Sequence, residues 1–280
     1  MAAAALNLFE LAKQNEGRLK QQFDAYRDGL SDERKASIDG LVDEVRAKGR
    51  VSTNMRRTGL AAFLSSGKHL NIYEFAAAEA GRTGEAIDAS LRRLLGKYYE
   101  RRMAYDALFV GGKGFRYGAL NIGCAGTTRY GDFCLVAKSA YSDSALELAY
   151  LKSDSLNDYM SPGPMLNEPA LRSDLATESH RQFLAATKEG DRTFAVAREE
   201  WPSILCDSSS YIEATFTGQF TPSDLQEVRM STSDYARVTS LVFEAARDSL
   251  SEEEVKVAAG YAEVLDSLRR SSIKLEVLDA

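Results

Sequence analysis

The feature that most constrains this chain is a change of period partway along it. Up to about residue 105 the apolar residues recur mostly at helical spacing. After Gly111, Gly112 and Gly114 they fall instead into short runs, YGALNI (117–122), FCLVAK (133–138) and ALELAYL (145–151), separated by glycine or serine turns. One segment breaks the order. Residues 51–57, VSTNMRR, alternate, with Val51, Thr53 and Met55 on one side and Ser52, Asn54 and Arg56 on the other, which reads as a short strand with a polar face.

The remaining elements follow from the same signals. Leu8, Leu11, Leu19 and Phe23 mark a first helix, and Ser31 with Asp32 and Glu33 opens a second that closes near Gly49. Helix returns over 58–105 with breaks around Gly67 and Gly81–Gly84, and its last stretch, EAIDASLRRLLGKYYERRMAYDALF, is amphipathic. Residues 153–174, with Pro162, Pro164 and Pro169, read as a loop, and 177–188 as a helix leading into the β-forming run TFAVA (193–197). YIEATFTG (211–218) and LQEVRM (225–230) then alternate, a helix spans Ser233 to about Asp248, and the capping box Ser251 to Glu254 opens the last helix. With no repeat and no low-complexity linker, the reading is one α+β domain: a helical N-terminal lobe, 1–50, packed on a mixed β-sheet core, 51–280.

Composition limits the function classes. A chain of 280 residues, 44% hydrophobic, fills a real core, so a disordered protein is excluded. Lys+Arg 35 against Asp+Glu 41, net charge -6 and no basic run argue against nucleic acid as a partner. Cys124, Cys134 and Cys206 form no CxxC pair and are odd in number, which fits a reducing compartment. Two histidines, His69 and His180, make a metal site unexpected. The start, MAAAALNLFELAK, lacks a positive n-region and meets Glu10 where a secretory signal is still apolar. No stretch approaches the roughly 20 apolar residues of a membrane span, so no membrane association is expected.

The sharpest local feature is SSSYIEATFTG, 208–218. Strand parity puts Tyr211, Glu213, Thr215 and Thr217 on one face and sends Ile212, Ala214 and Phe216 into the core. A glutamate fixed on such a face has the chemistry to stabilise an oxocarbenium-like sugar cation and hold its hydroxyl; the plain alternative is a solvated residue on an exposed strand. Arg56 shares the polar side of its strand with Ser52 and Asn54, where it could grip a pyrophosphate, while Arg57 falls on the apolar side. The glycines of GGKGFRYGALNI match neither GxGxxG nor GxxxxGK and precede a strand, so a turn is the better reading, with Arg116, Tyr117 and Asn121 free to line a cleft. Ser231, Thr232 and Ser233 read as a helix start, and Trp201 as a core anchor.

Taken together, VSTNMRRTGLAAFLSSGKHLNIYEF, RYGALNI, TRYGDFCLVAK and YIEATFTGQFTPSDLQEVRM resemble the ADP-ribosyltransferase superfamily, and more narrowly the CteC-like bacterial effectors that modify a threonine of ubiquitin. The resemblance spans about 50–230. It implies an ADP-ribosyltransferase-like core and a mono-ADP-ribosyltransferase that consumes NAD and needs no metal. Ubiquitin is the implied protein partner, and a monomer made in a bacterial cytoplasm and secreted into a host cytosol the implied setting. Glu213 matches the catalytic glutamate of the family and Arg56 its early-strand arginine, with Arg57 as fallback. Asn54, Tyr117, Asn121 and Tyr211 complete the expected NAD site, and Ser153 and Ser155 are the nearest counterparts of the family's serine element, which has no clean Ser-Thr-Ser here. Members that modify arginine carry a glutamate two residues before the catalytic one; Tyr211 stands there, which favours a hydroxyl acceptor. The helices of 1–50 and 84–105 would then hold the protein substrate. Two rivals stand beside this reading. One is an inactive protein-binding module of the same fold; the other is a glycoside-type hydrolase pairing Glu213 with Asp207 or Glu227.

Overall fold

The chain's computed structural model describes residues 5–139, 141, 147–160, 165–247 and 250–279. Its architecture is mixed α and β. Helices α1 (Leu8–Asp28) and α2 (Asp32–Lys48) begin it, the first capped by Asn7, whose side chain accepts the N–H groups of Phe9 and Glu10. Strand β1 (Arg50–Met55) follows at once. Four helices then intervene, α3 (Arg57–Ser66), α4 (Ile72–Thr83), α5 (Ile87–Leu95) and α6 (Tyr99–Ala107). Gly67 and Gly84 end α3 and α4 with φ of 70° and 75°, a left-handed turn that glycine takes without steric cost. A further break at Gly96 separates α5 from α6 inside the stretch read as one amphipathic helix.

The early strand becomes the middle of the sheet. β1 pairs antiparallel with β2 (Arg116–Asn121) on one side and β3 (Phe133–Ala137) on the other. Beyond β2 lie β6 (Glu213–Phe216), β4 (Leu148–Leu151) and β5 (Leu175–Thr177). Beyond β3 lie β7 (Leu225–Ser231) and, parallel to it, β8 (Leu275–Leu278). Among the described residues this makes one eight-stranded sheet in the order β5-β4-β6-β2-β1-β3-β7-β8.

Both faces are covered. On one, Val51, Leu120, Leu135, Tyr150, Phe216 and Val228 meet α2, α9 (Arg181–Thr193), α11 (Thr232–Ala245) and α12 (Glu252–Arg270). On the other, Phe115, Ala149, Leu151 and Leu175 meet Leu8, Phe9, Leu11 and Ala12 of α1 and Tyr105 of α6. Helix α1 joins the two layers, since its Leu19 and Phe23 belong to the first cluster. The N-terminal helices therefore share both buried layers of the sheet.

Several expected elements shift. TFAVA is no strand: Thr193 closes α9, its hydroxyl donating to the Gly190 carbonyl, and the chain turns through a short 3-10 segment at Arg198–Glu200. Contacts of α9 with α2 override the β-propensity of that run. The 153–174 excursion contains two short helices, α7 (Ser155–Asp158) and α8 (Glu168–Ser173), with 161–164, which include Pro162 and Pro164, outside the described residues. Of ALELAYL, the part from Leu148 is strand and 145–146 lie outside them; the expected helix end at Asp248 also lies outside. Strands β5 and β8 and helix α10 (Trp201–Leu205), where Trp201 is buried as a core anchor, carried no clear signal. Among the described residues no helix is long and apolar enough to cross a membrane.

Candidate functional site

Glu213 opens β6 between two neighbours in register, Ala119 of β2 and Leu151 of β4. Its side chain shares the sheet face of Tyr117, Thr215 and Ser52, as parity requires of residues paired across the ladder. That face is buried. Glu213 is 3% exposed, which overturns the plain reading of a solvated strand residue. Its Oε2 accepts the backbone N–H of Ser155 at 3.2 Å and faces the Tyr211 hydroxyl at 3.5 Å, while Oε1 makes no hydrogen bond among the described residues.

A second carboxylate stands nearby. Asp154 caps α7, accepting the N–H groups of Leu156 and Asn157, and its other oxygen accepts the hydroxyls of Tyr130 and Tyr211, each at 2.9 Å, and Arg129 at 3.0 Å. Burial opposes its charge, yet those N–H and O–H donors hold Asp154 below the usual carboxylate range. Glu213 goes the other way. Burial first, then the negative charge of Asp154, push it up to about 8, against the opposing pull of Arg102 and of Ser155.

Helix α6 roofs this part of the sheet. Arg102 lies over the Tyr117 ring at 3.7 Å and 3.6 Å from Asp106, which also receives the hydroxyls of Tyr117 at 2.7 Å and Tyr73 at 2.9 Å. Burial raises the Asp106 carboxyl although these partners favour its charge. Five more polar atoms in this layer are buried without a hydrogen-bond partner among the described residues: Arg102 Nε and Nη1, Tyr105 OH, Ser155 Oγ and Thr215 Oγ1. Native interiors pair nearly all such groups, so their concentration around one glutamate marks the spot.

A cavity of about 390 Å³ opens at the end of β1, walled by Asn54, Arg56, His69, Arg116, Tyr117 and Tyr130 among others. Arg56 is exposed at its edge and also borders an adjoining cleft of about 470 Å³ with Arg57, Arg129 and Arg237. Glu213 does not line the cavity. Tyr130 stands between, lining the cavity, with its hydroxyl 2.9 Å from that of Tyr211, which in turn reaches Glu213.

The expected site residues thus divide. Glu213, Tyr211, Ser155 and Tyr117 come together in one layer, and Asn54, Arg56 and Tyr117 border the cavity. Asn54 is committed there, donating to the Ala125 and Gly131 carbonyls and so fastening the 122–131 loop. Asn121 is 1% exposed and fastens the same loop through Gly123 and Cys124, apart from Glu213. Ser153 is half-buried beside Asp154, and Arg57 lies over the ring of Tyr261 on α12, away from Glu213. Arg116 is tied to Glu74 and the His69 carbonyl. Neither acid proposed as a partner for Glu213 reaches it: Asp207 pairs with Arg192, and Glu227 with Arg229 and Lys274. Asp154 is the acid whose charge acts on Glu213, the two meeting at the Tyr211 hydroxyl. It and Arg102 escaped notice, though Arg102, Tyr105, Asp106 and Phe109 form an i, i+3, i+4, i+7 stripe whose polar members sit at core positions. Among the described residues no group of three His, Cys, Asp or Glu side chains could hold a metal ion. No protein-family model matches the chain, and no curated protein matches it in sequence.

Proposed function

We propose that the chain is a mono-ADP-ribosyltransferase with an ADP-ribosyltransferase-like core, which cleaves NAD at its nicotinamide bond and passes ADP-ribose to a hydroxyl of a protein. A threonine of ubiquitin is the acceptor that the sequence resemblance implies, and release from a bacterium into a host cell its implied setting. The observation that carries this reading is Glu213: a carboxyl buried on the sheet face of β1's polar side, one pair of tyrosine hydroxyls away from the cavity that Arg56 borders. Arg56 then holds the pyrophosphate at the cavity edge, with Arg129 and Arg237 of the adjoining cleft adding positive charge. Tyr130 must swing aside for the nicotinamide ribose to reach Glu213. The ionised Glu213 stabilises the ribosyl cation as nicotinamide departs, and the acceptor hydroxyl attacks the anomeric carbon.

A second reading has one observation in its favour. Asp154 and Glu213 have been pushed to opposite sides of neutrality, the arrangement of a base and an acid in a glycoside hydrolase. The two differ in the state of Glu213 that they need. Incubation with NAD and ubiquitin, followed by the intact mass of ubiquitin, tests transfer, and an unchanged mass under conditions where NAD is bound removes the ubiquitin assignment. Nicotinamide release from NAD, lost by on the order of 10² to 10³ in Glu213→Gln, separates the transferase from an inactive binder. Its pH profile is the third arm: a transferase that needs the carboxylate gains activity as pH rises through about 8, whereas a hydrolase using Glu213 as acid loses it there and releases sugar from glycosides.

A further inference from the structure

Arg102 has the form of a guanidinium kept in reserve. It is anchored on α6, stacked on Tyr117 at 3.7 Å, and its one ion pair among the described residues is the loose 3.6 Å approach to Asp106. Its Nε and Nη1 are buried and make no hydrogen bond among the described residues. The sheet below offers an acceptor in the same condition, Oε1 of Glu213, whose charge acts on both Arg102 and Tyr105; Thr215 lies two residues along the same strand face, Ser155 donates its N–H to the other Glu213 oxygen, and the hydroxyls of Ser155, Thr215 and Tyr105 are likewise buried without a partner among the described residues. Every one of those groups except Oε1 is able to donate, so the layer holds several buried donors around one unserved carboxyl oxygen. The placement is not accidental in register: Thr215 is opposite Tyr117, on which Arg102 lies, and Tyr105 is one helical turn beyond Arg102.

We propose that Arg102 is the positioning residue of Glu213: when the carboxyl ionises it turns Oε1 onto the Arg102 guanidinium and the surrounding hydroxyls, so that the charged form is received by donors that are already in place. This rests on the reading of Glu213 as the working carboxylate, but its test does not need turnover. The neutral form leaves the donors idle, and the charged form satisfies them, which couples the side chain's charge to its orientation. Other groups bear on the same titration. Asp154 and Tyr159 face Glu213 from the α7 region, Tyr211 from the start of its own strand, and Tyr105 and Tyr117 from α6 and β2. Asp106 bears on it through Arg102, and Tyr130 and Arg129 through Tyr211 and Asp154. Of these the positive charge that acts on Glu213 directly is Arg102.

The experiment is a carboxyl-carbon NMR titration of the full chain labelled with 13C at Glu Cδ, the Glu213 signal being assigned by its absence from Glu213→Gln. Arg102→Met is expected to move the Glu213 midpoint upward by about one pH unit or more, with Arg102→Lys intermediate because it restores the charge without the fork. Thr215→Val and Tyr105→Phe, which keep shape and remove single donors, each give a smaller upward shift and serve if Arg102→Met does not fold. A midpoint unmoved in folded Arg102→Met, or unmoved in Arg102→Lys and both hydroxyl variants, overturns the proposal. Nicotinamide release is measured on the same samples. If wild type releases none while the midpoints shift, the enzymatic reading fails and the pairing stands; if it releases nicotinamide but the midpoints stay fixed, the pairing fails alone.

Discussion

Glu213 shows how a single side chain links burial, charge and stability. Burial first and then Asp154 push its carboxyl from an ordinary value of 4.5 up to about 8. The folded state therefore binds a proton that the unfolded state has lost between those values. That contribution is fully present below about 4.5 and is lost as pH rises through about 8, at up to about 1.4 kcal/mol per pH unit. Glu213→Gln, neutral at every pH, lacks the slope. It is expected to melt close to wild type at pH 4 and above it at pH 9; thermal unfolding at the two pH values checks this, and equal melting points at pH 9 would rule out a buried neutral carboxyl. At the cavity edge the two adjacent arginines separate in the same way. Arg56→Ala is expected to weaken NAD binding by about tenfold or more, whereas Arg57→Ala, whose side chain lies on Tyr261, changes it little. Titration calorimetry with NAD tells them apart. Strand parity drew attention to Glu213, whereas Arg56, expected on the same kind of strand face, falls just past β1 at the N-terminus of α3, where parity does not place it. What parity could not supply was depth, since a polar face reads the same whether water or α6 covers it.

At the level of elements, α4 joins local signal to site geometry. Asn71 caps it, its Oδ1 accepting the N–H groups of Tyr73 and Glu74 while the Glu74 carboxylate accepts the Asn71 N–H. The same two residues build the cavity wall: Asn71 donates to the Lys113 carbonyl and Glu74 pairs with Arg116 at 2.8 Å. Asn71→Ala is therefore expected to cost about 1–2 kcal/mol in urea unfolding, the upper part of the range for a lost cap, because it also frees the turn before β2. Caps, glycine turns and alternating runs made most of this legible from the residues: Ser251 and Glu254 form the expected capping box, Ser231 caps α11, and Gly67 and Gly84 break the helices where foreseen. The misreadings share a cause. TFAVA has strand chemistry but is held by α9, and β5, only Leu175–Thr177, is a strand because β4 offers it an edge. Such decisions belong to partners far off in the chain, which no local window contains.

For the molecule as a whole, the covered sheet decides what can be removed. Deleting residues 1–49 strips α1 from β4 and β5 and α2 from α9, exposing Leu151, Leu175, Phe183 and Leu184 together. The shortened chain is expected to lose cooperative thermal unfolding, followed by circular dichroism. A cooperative transition would mean that the N-terminal helices are an addition after all. The mixed α and β class was readable from the change of period, but the joining of the helical preface to both sides of the sheet was not, because Leu8 to Ala12 and Leu19 to Phe23 serve different layers within one amphipathic helix.

The central position of β1 carries a consequence for the order in which the protein comes into being. Emerging from a ribosome, this strand finds its first neighbour only when the chain has grown past Asn121 and its second past Ala137, and Glu213 must wait for its own segment to slot beside β2. A half-made chain consequently holds Arg56 but not Glu213. The layer that buries Glu213 can therefore close only once more than three-quarters of the length has been made.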